Sequence, residues 1–591
     1  GGNNTALGTS ALQSNTTASS NTSVGYQSLY ANTTGAVNTA FGQQALRANT
    51  TAFNNSAFGS AALFANTTGQ YNTGIGAQAI ASNTTANYNT GVGFQALNLT
   101  TTGQYNTATG GLALQKNTTG EFNSSYGLNS MNANTTGSNN TGYGAYSLYS
   151  NTTASYSTAV GKNAAYSTTT SSQGVTVVGS DALYQNTTGT DIVAMGRAAL
   201  YNNTTGNNNV ALGRSALQSN TTASNNTAVG YHAAYSNTTG AANTALGMQA
   251  LYTNNTGANN VSVGVNSMYS NTTGGFNTAL GRNALTANTT ASQNTAVGFE
   301  ALLANTTGAN NVALGTYALD ANTTADSNTA IGRSSLGTNT TGSNNVALGY
   351  KSLFANTTGT KNTAAGRESG YSLTTGTHNV LLGHQSGYNI TTGSKNVVLG
   401  NHNGNQGGLD IRTSSNSIVL SDGDGNIGLV VDSSQRVLLA GMTTYQTAGH
   451  SFSSSQQQVV AAGTGTFQSV QFRNDNGKIG TISLSGSNTS FNTSSDYRLK
   501  ENVVYDWDAT TRLKQLKPAR FNFITDADTT VDGFLAHEAA TVVPEAVTGT
   551  KDAVDEEGNI DPQGMDQSKL VPLLVKTIQE LEARITALEN A

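Results

Sequence analysis

The sequence predicts a mostly β protein in three parts. A repetitive β-solenoid shaft, packed as a trimer, spans residues 1–403. A β-rich neck follows over 404–494. An α+β domain over 495–591 ends in a coiled-coil helix at about 569–591. Three observations predict this division. The glycine of Asn4-Thr5-Ala6-Leu7-Gly8 recurs every 17 residues to Gly161, steps once by 18 to Gly179, and continues at 17 to Gly400, which makes 24 copies with one insertion. Residues 1–400 carry only 11 of the 25 Lys/Arg and 7 of the 30 Asp/Glu. All four prolines (Pro518, Pro544, Pro562, Pro572) and the single tryptophan, Trp507, lie after residue 500.

The shaft repeat reads N-T-A-Φ-G-x-x-A-L-x-x-N-T-T-G-x-x, with Φ apolar. Four residues past the marker stands Leu, Ile or Met in 19 of the 24 copies, as in Leu12, Leu29 and Ile80. One residue before the marker stands Φ: Leu7, Val24, Phe41, Phe58, Ile75. In Asn311-Val312-Ala313-Leu314-Gly315, Val and Leu alternate around a small Ala, as in a short strand with one buried face. Asn-Thr-Thr-Gly reads as the turn, since Asn and Gly tolerate left-handed backbone and Thr suits β geometry. Two helices do not fit in 17 residues, and Gly, Asn and Thr oppose helix. Disorder is excluded by apolar positions held in register over 24 copies. One coil per repeat at the ~4.8 Å strand spacing gives a rod about 115 Å long. A Leu, a Φ and an Ala make a thin core for one coil, so several chains, most simply three, are expected to supply the missing burial.

Composition excludes several functions. Charged residues are 9% of the chain, against about 25% in ordinary proteins. With no cysteine, no disulfide or thiolate metal site is possible. No apolar run nears the ~18 residues of a membrane span, so no membrane insertion is expected. A net charge of −5 gives no electrostatic case for nucleic acid. The opening Gly1-Gly2, without Met, reads as a fragment whose N-terminal attachment part lies upstream. Glycoside cleavage needs paired carboxyl groups. The shaft's acids, Glu121, Asp181, Asp191, Glu300, Asp320, Asp326 and Glu368, form no cluster of three. The histidines His232, His378, His384, His402, His450 and His537 have no metal-ligand spacing. No cofactor and no metal are expected.

Five residues past the marker, aromatics recur at Tyr30, Phe64, Tyr149, Tyr184, Tyr201, Tyr252, Tyr269 and Phe354. Two readings stand. The stripe is a glycan-contact surface, or it packs at a chain–chain seam; the second is favoured because Tyr suits places with one dry and one wet end. The many Asn-x-Thr tracts read as turn chemistry before glycan acceptors. Thr files that order water, as in ice-binding solenoids, are disfavoured because Thr falls largely in predicted turns. The Asn-Thr-Ala-Φ-Gly and Asn-Val-Ala-Leu-Gly segments resemble the head repeats of trimeric autotransporter adhesins, whose shorter period limits the resemblance to architecture.

Past Gly400 the period fails. Ser417-Ile418-Val419-Leu420, Asp422-Gly423-Asp424-Gly425-Asn426 and Ile427-Gly428-Leu429-Val430-Val431 read as a hairpin. The Asp-Gly-Asp-Gly run lacks the ligand spacing of an EF-hand and is taken as a turn. Val470 and Phe472, then Ile482 and Leu484, alternate with polar residues as a further strand pair.

The run Ser494-Ser495-Asp496-Tyr497-Arg498-Leu499-Lys500-Glu501-Asn502-Val503 resembles the opening of the endosialidase-type C-terminal intramolecular chaperone domain of bacteriophage tail fibres and tailspikes. The likeness continues through Leu513–Pro518, Phe521, Phe523, Gly533–Glu538 and Val543–Val547. His537 stands where that family more often has Gln. The resemblance implies a trimeric chaperone that sets β-rich chains in register and then cuts itself away. It places Ser495 and Lys500 as a Ser–Lys dyad and Ser495–Asp496 as the cleaved bond. A Ser hydroxyl needs a base, and Lys serves once burial lowers its pKa. The dyad is expected to form only after trimerisation.

Val571, Leu574, Ile578, Leu581, Ile585 and Leu588 follow 3-4 spacing, with the β-branched residues at a and Leu at d. Alone this pattern leans to two strands. Arg584-Ile585-Thr586-Ala587-Leu588-Glu589, which resembles a trimeric coiled-coil motif, and the family decide for three. The expectation is a homotrimeric viral tail or receptor-binding fibre, located on the virion and extracellular. It would join the tail or baseplate through its missing N-terminal part and meet a host surface receptor, a glycan. The rivals are a cellular trimeric surface adhesin and a polysaccharide depolymerase. The only enzymatic activity expected is a single-turnover self-cleavage.

Overall fold

The computed structural model describes residues 2–169, 174–439, 449–452, 457–460, 466–474, 477–485, 488–493, 495–524, 526–555 and 558–591. The chain divides into two compact units, Gly1–Ser469 and Val470–Ala591.

The first unit is a β-solenoid of 24 coils. Each repeat places its T-A-Φ segment in a three-residue strand, from β1 (Thr5–Leu7) to β24 (Val397–Leu399). Every strand lies parallel on the next, in register at the repeat: Thr5 on Thr22, Ala6 on Ser23, Leu7 on Val24. Across the 18-residue step, β10 (Thr158–Val160) still pairs Thr158 with Thr176 of β11 (Thr176–Val178). Residues 170–173, where a bulge is expected, lie outside the described residues. After the pair β25 (Asn405–Gln406) and β26 (Leu409–Asp410), β27 (Ile418–Ser421) adds in parallel to β24. From there β28 (Ile427–Val431), β29 (Val437–Leu439), β30 (Gly449–Phe452) and β31 (Gln457–Val460) continue as an antiparallel meander. Asp422 makes the β27–β28 turn: its carboxylate accepts the backbone N–H groups of Asp424 and Asn426 at 3.0 and 2.8 Å.

The marker glycine is obligatory on two counts. Gly230 has φ +137°, which side chains rarely adopt, and a Cβ there would lie 2.4 Å from the carbonyl oxygen of Gly247 on the next coil. The core leucine is also left-handed: Leu29 has φ 47° and Leu46 49°, while both are fully buried. Its burial offsets a backbone cost that a non-glycine residue would otherwise avoid. The other left-handed places fall two and twelve residues past the marker, as at Gln27 and Val37, and not on the Asn of Asn-Thr-Thr-Gly as the turn reading expected.

That Asn points inward instead. Most coils bury two asparagines, and both positions form files along the rod. In the first file, Asn237 Nδ2 donates to Asn220 Oδ1 and to the Gly240 carbonyl, both at 2.9 Å, and Asn237 Oδ1 accepts from Asn254 Nδ2 at 2.8 Å. In the second, Asn21 Oδ1 accepts the backbone N–H of Asn38 at 2.8 Å. Where the first file is interrupted, a polar atom is orphaned: Asn83 Oδ1 faces the coil of Thr100, and Asn356 Oδ1 that of Leu373. Burial of these asparagines also removes them as glycan acceptors.

The expectation that Φ belongs to the core is corrected. The strand's inward residue is the small one: Ala40, Ala57, Ala245 and Ala313 are buried, whereas Phe41 is 54%, Leu246 47% and Leu314 44% exposed. The Thr, Ser or Val two places earlier shares the outer face, so in most repeats one Thr lies on a strand and not in a turn.

A three-stranded sheet follows, of β32 (Thr466–Asn474), which crosses the unit boundary, β33 (Gly477–Ser485) and β34 (Asn488–Thr493); the rest belongs to the second unit. A hairpin, β35 (Ala519–Phe523) with β36 (Asp526–Gly533), and three helices follow: α1 (Ala509–Leu513), α2 (Ala536–Ala539) and α3 (Val571–Glu589). Its buried apolar centre is small: Ala509, Val542, Val543, Ala546, Leu570 and Leu573, flanked by Trp507 and Phe534.

Candidate functional site

Ser495 follows β34 and opens a tight turn. Asp496 caps a 3-10 turn over Tyr497–Leu499, its Oδ1 accepting from the Arg498 N–H at 2.9 Å and from Arg498 Nε at 3.0 Å. The Arg498 guanidinium holds the Asp496 carboxyl below the usual carboxylate range. Asp496 therefore stays ionised and keeps the turn fixed at neutral pH. The turn closes through the Lys500 N–H on the Tyr497 carbonyl at 3.1 Å. It brings Lys500 back over Ser495, and Nζ lies 2.8 Å from Oγ.

The pair thus meets within one chain, which differs from the expectation that a trimer must first assemble it. Five residues of sequence suffice because the capped turn supplies the reversal. What one chain does not supply is burial. Ser495 and Lys500 are both exposed, whereas a lysine amine takes a serine proton only where burial favours its neutral form. The apolar residues around the turn are uncovered as well: Tyr497 is 81%, Leu499 76% and Tyr505 84% exposed.

A clamp behind this segment went unread in the sequence. Glu580 on α3 accepts from the backbone N–H groups of Ala509 and Thr510 at 2.8 and 2.7 Å, and from Thr510 Oγ1 at 2.6 Å. With Asp508 capping the Thr511 N–H, the first turn of α1 is satisfied. These hydrogen bonds hold the Glu580 carboxyl below its ordinary range. No local motif marks a contact between residues 70 apart. Arg512 ties the same helix to the Val542 carbonyl at 2.7 Å and to Glu545 at 3.0 Å.

Helix α3 has two faces. Leu573 and Thr577 are buried within the unit, whereas the six heptad residues Val571, Leu574, Ile578, Leu581, Ile585 and Leu588 are 41–77% exposed. The seam is complete and uncovered in the single chain.

Of the eight aromatics five residues past the marker, six stack on aromatic neighbours along the rod. Tyr149, Tyr166, Tyr184 and Tyr201 follow at 5.0, 4.9 and 5.1 Å between centroids. Tyr252 stacks on Tyr269 at 5.0 Å, and Phe354 starts a file with Tyr371 and Tyr388. Tyr30 and Phe64 flank the Arg47 guanidinium, 5.7 and 5.5 Å from the ring centroids. A second file, Tyr71, Tyr88, Tyr105 and Phe122, stands twelve residues past the marker with spacings of 4.9, 5.2 and 4.8 Å. Its recurrence at 17 was available in the sequence and was missed. In a file each ring covers its neighbour's face, so saccharide stacking is confined to terminal rings.

Among the described residues no group of three His, Asp or Glu could hold a metal, and no helix is long and apolar enough to cross a membrane.

A family model described as chaperone of endosialidase matches residues 495–548, a segment that opens on Ser495 and includes Lys500. The comparisons with curated proteins and with solved structures gave no match.

Proposed function

We propose that this chain is one strand of a homotrimeric viral tail or receptor-binding fibre, with a β-solenoid shaft that reaches and adheres, and a C-terminal chaperone that sets the trimer and then cuts itself off at Ser495–Asp496. The observation that carries the reading is the 2.8 Å contact between Lys500 Nζ and Ser495 Oγ inside the segment that the chaperone family model matches. The uncovered heptad seam of α3 supports association, and the solvated lysine supports its timing. Neighbouring copies that cover the turn would strip water from Lys500 and favour its neutral amine, which takes the Oγ proton as Oγ adds to the scissile carbonyl and passes it to the departing Asp496 nitrogen as the C–N bond breaks and an ester remains. Water then releases the ester and restores the hydroxyl. The virion tail, a host-surface glycan and an extracellular location belong to this reading. A cellular trimeric adhesin is the alternative for the shaft.

Denaturing gels test it. Wild type should run as two fragments once trimerised. Ser495→Ala and Lys500→Ala should remain full length and still trimerise, and a chain ending at Ser495 should be insoluble or heterogeneous. The mass of the small fragment identifies the bond. A wild-type trimer that stays full length would refute self-cleavage, and uniform trimers from the truncated chain would refute the chaperone role.

A further inference from the structure

The outer face of the solenoid strands carries an apolar file that the proposed reading leaves unassigned. From Leu7 to Leu399 the residue before the marker is large and apolar in all but two coils, where Thr109 and Ala365 stand. The outward residue two places earlier is always Thr, Ser or Val. The shaft's 18 charged side chains avoid both positions entirely. The strands are in register, so the large residues form one ridge, and the small ones a parallel groove beside it.

The size of this face decides what it is. Fifteen of the ridge residues are 36–67% exposed, which at roughly 150–250 Å² for a large side chain leaves something like 80 Å² each. These alone present on the order of 1,200 Å² of apolar surface along the ridge, more than the few hundred Å² that a soluble monomer tolerates and above the ~800 Å² per partner of a stable interface.

We infer that this ridge and groove, and not the aromatic files, form the seam along which the three shafts pack. The inference rests on the trimeric reading above. The occupant is a further copy of this chain because a partner must repeat an apolar ridge at the same rise over some 24 rungs, and the chain itself has that ridge. Ridge against groove lets Leu or Phe of one copy seat on Thr or Val of the next. The Asn-Thr-Thr corners and the aromatic files then remain outside. The Φ side chains that one coil leaves uncovered become the burial that the thin core lacks.

The full-length chain has no cysteine, so single thiols report cleanly. Leu246→Cys and Leu314→Cys replace exposed ridge residues, and Thr239→Cys places a thiol on an exposed corner. A two-carbon bis-maleimide joins thiols across faces about 10 Å apart. Both ridge variants should give covalent dimers on denaturing gels, involving at most about two-thirds of the chains, since one linker joins two of three thiols. The Thr239→Cys protein should stay uncrosslinked. Light scattering separates the two claims. A trimer in which the ridge variants fail to link, or in which Thr239→Cys links as well, overturns the seam and leaves the trimeric reading standing. A monomer overturns both.

Discussion

Replacing Asn237 by Asp tests whether the buried amide file holds the coils together. The side chains are nearly isosteric, so the change acts through hydrogen bonding alone. Asp keeps the acceptor that Asn254 Nδ2 uses at 2.8 Å, but it loses the donations to Asn220 Oδ1 and the Gly240 carbonyl, both at 2.9 Å. Two buried acceptors are left without donors, at about 1–3 kcal/mol each, so the loss is roughly 2–6 kcal/mol. Burial also opposes the new charge and raises the carboxyl's pKa above its unfolded value. The stability of the variant is therefore greatest at low pH and falls as pH rises through the folded pKa, because the protonated acid regains one donor. A solenoid responds locally, each coil touching only its neighbours, so the assay is hydrogen exchange by mass spectrometry over the coils around Gly230 and Gly247. Protection there should drop about 30-fold or more at pH 8, drop less at pH 4 after correction for intrinsic exchange, and recover within a few coils. Asn225→Asp, at an exposed position, is the control. If both variants keep wild-type protection at pH 8, the file does not stabilise the coils.

Two pH effects follow from other buried groups. His402 is buried, and desolvation lowers its pKa against an opposing hydrogen bond from Nε2 to the Gln406 carbonyl at 3.2 Å, while Nδ1 accepts the Gly404 N–H at 3.1 Å. Its stabilisation is full above the unfolded value near 6.5 and is lost as pH falls below it; amides over 404–411 should lose protection between pH 7.5 and about 5, and equal corrected protection at both would sink the claim. Asp320 stands at an aromatic-file position, and burial first, with Glu300 adding, pushes its carboxyl up to about 6. A raised acid is favourable below about 4 and loses that advantage as pH rises through 6. Two pKa units discounted for solvent at this half-exposed site leave about 1 kcal/mol, so Asp320→Asn should raise the urea midpoint of the shaft at pH 8 and leave it unchanged at pH 4; a gain at both would point to packing.

The repeat, its strand, the marker glycine and the buried leucine were all legible because each leaves a periodic trace. The direction of Φ was not. A three-residue strand with Ala between Thr and Φ can bury its centre or its ends, and apolarity favoured the ends. The interior decides otherwise, since Leu and two Asn files leave room only for Ala. The last coils show that limit. Where Gly370 and Gly387 replace the core leucine, Leu381 and Val398 replace the strand Ala, and Leu373 and Ile390 replace Asn, all fully buried. A Cβ on Gly370 would lie 2.8 Å from both Leu353 and Leu381, so large and small residues exchange places at fixed volume. In the C-terminal unit the Ser495–Lys500 motif was readable at five residues' spacing, whereas the Glu580 clamp joins distant segments by geometry alone.

The regularity that makes the shaft easy to read also makes it hard to assemble. Within a chain, covalent order fixes which coil follows which, and the amide and aromatic files reward that order. Between chains nothing comparable exists. If three ridges pack together, a slip of one coil, about 4.8 Å, sets Φ on Φ and Thr on Thr again and costs contacts only at the ends. The irregular rungs, such as Thr109 or the Phe41–Phe58 pair with ring centroids 6.5 Å apart, penalise slips weakly because they are few among 24. Register must therefore come from a part without repeats, and the chain has one: a unit with a unique small core and a complete, uncovered heptad seam on α3. On the proposed reading that unit is needed while the ridges find each other and becomes dispensable once many coils are zipped, since backing out would require all of them to separate together. The proposed cleavage at Ser495–Asp496, whose lysine is exposed in the single chain, fits a part that is used once.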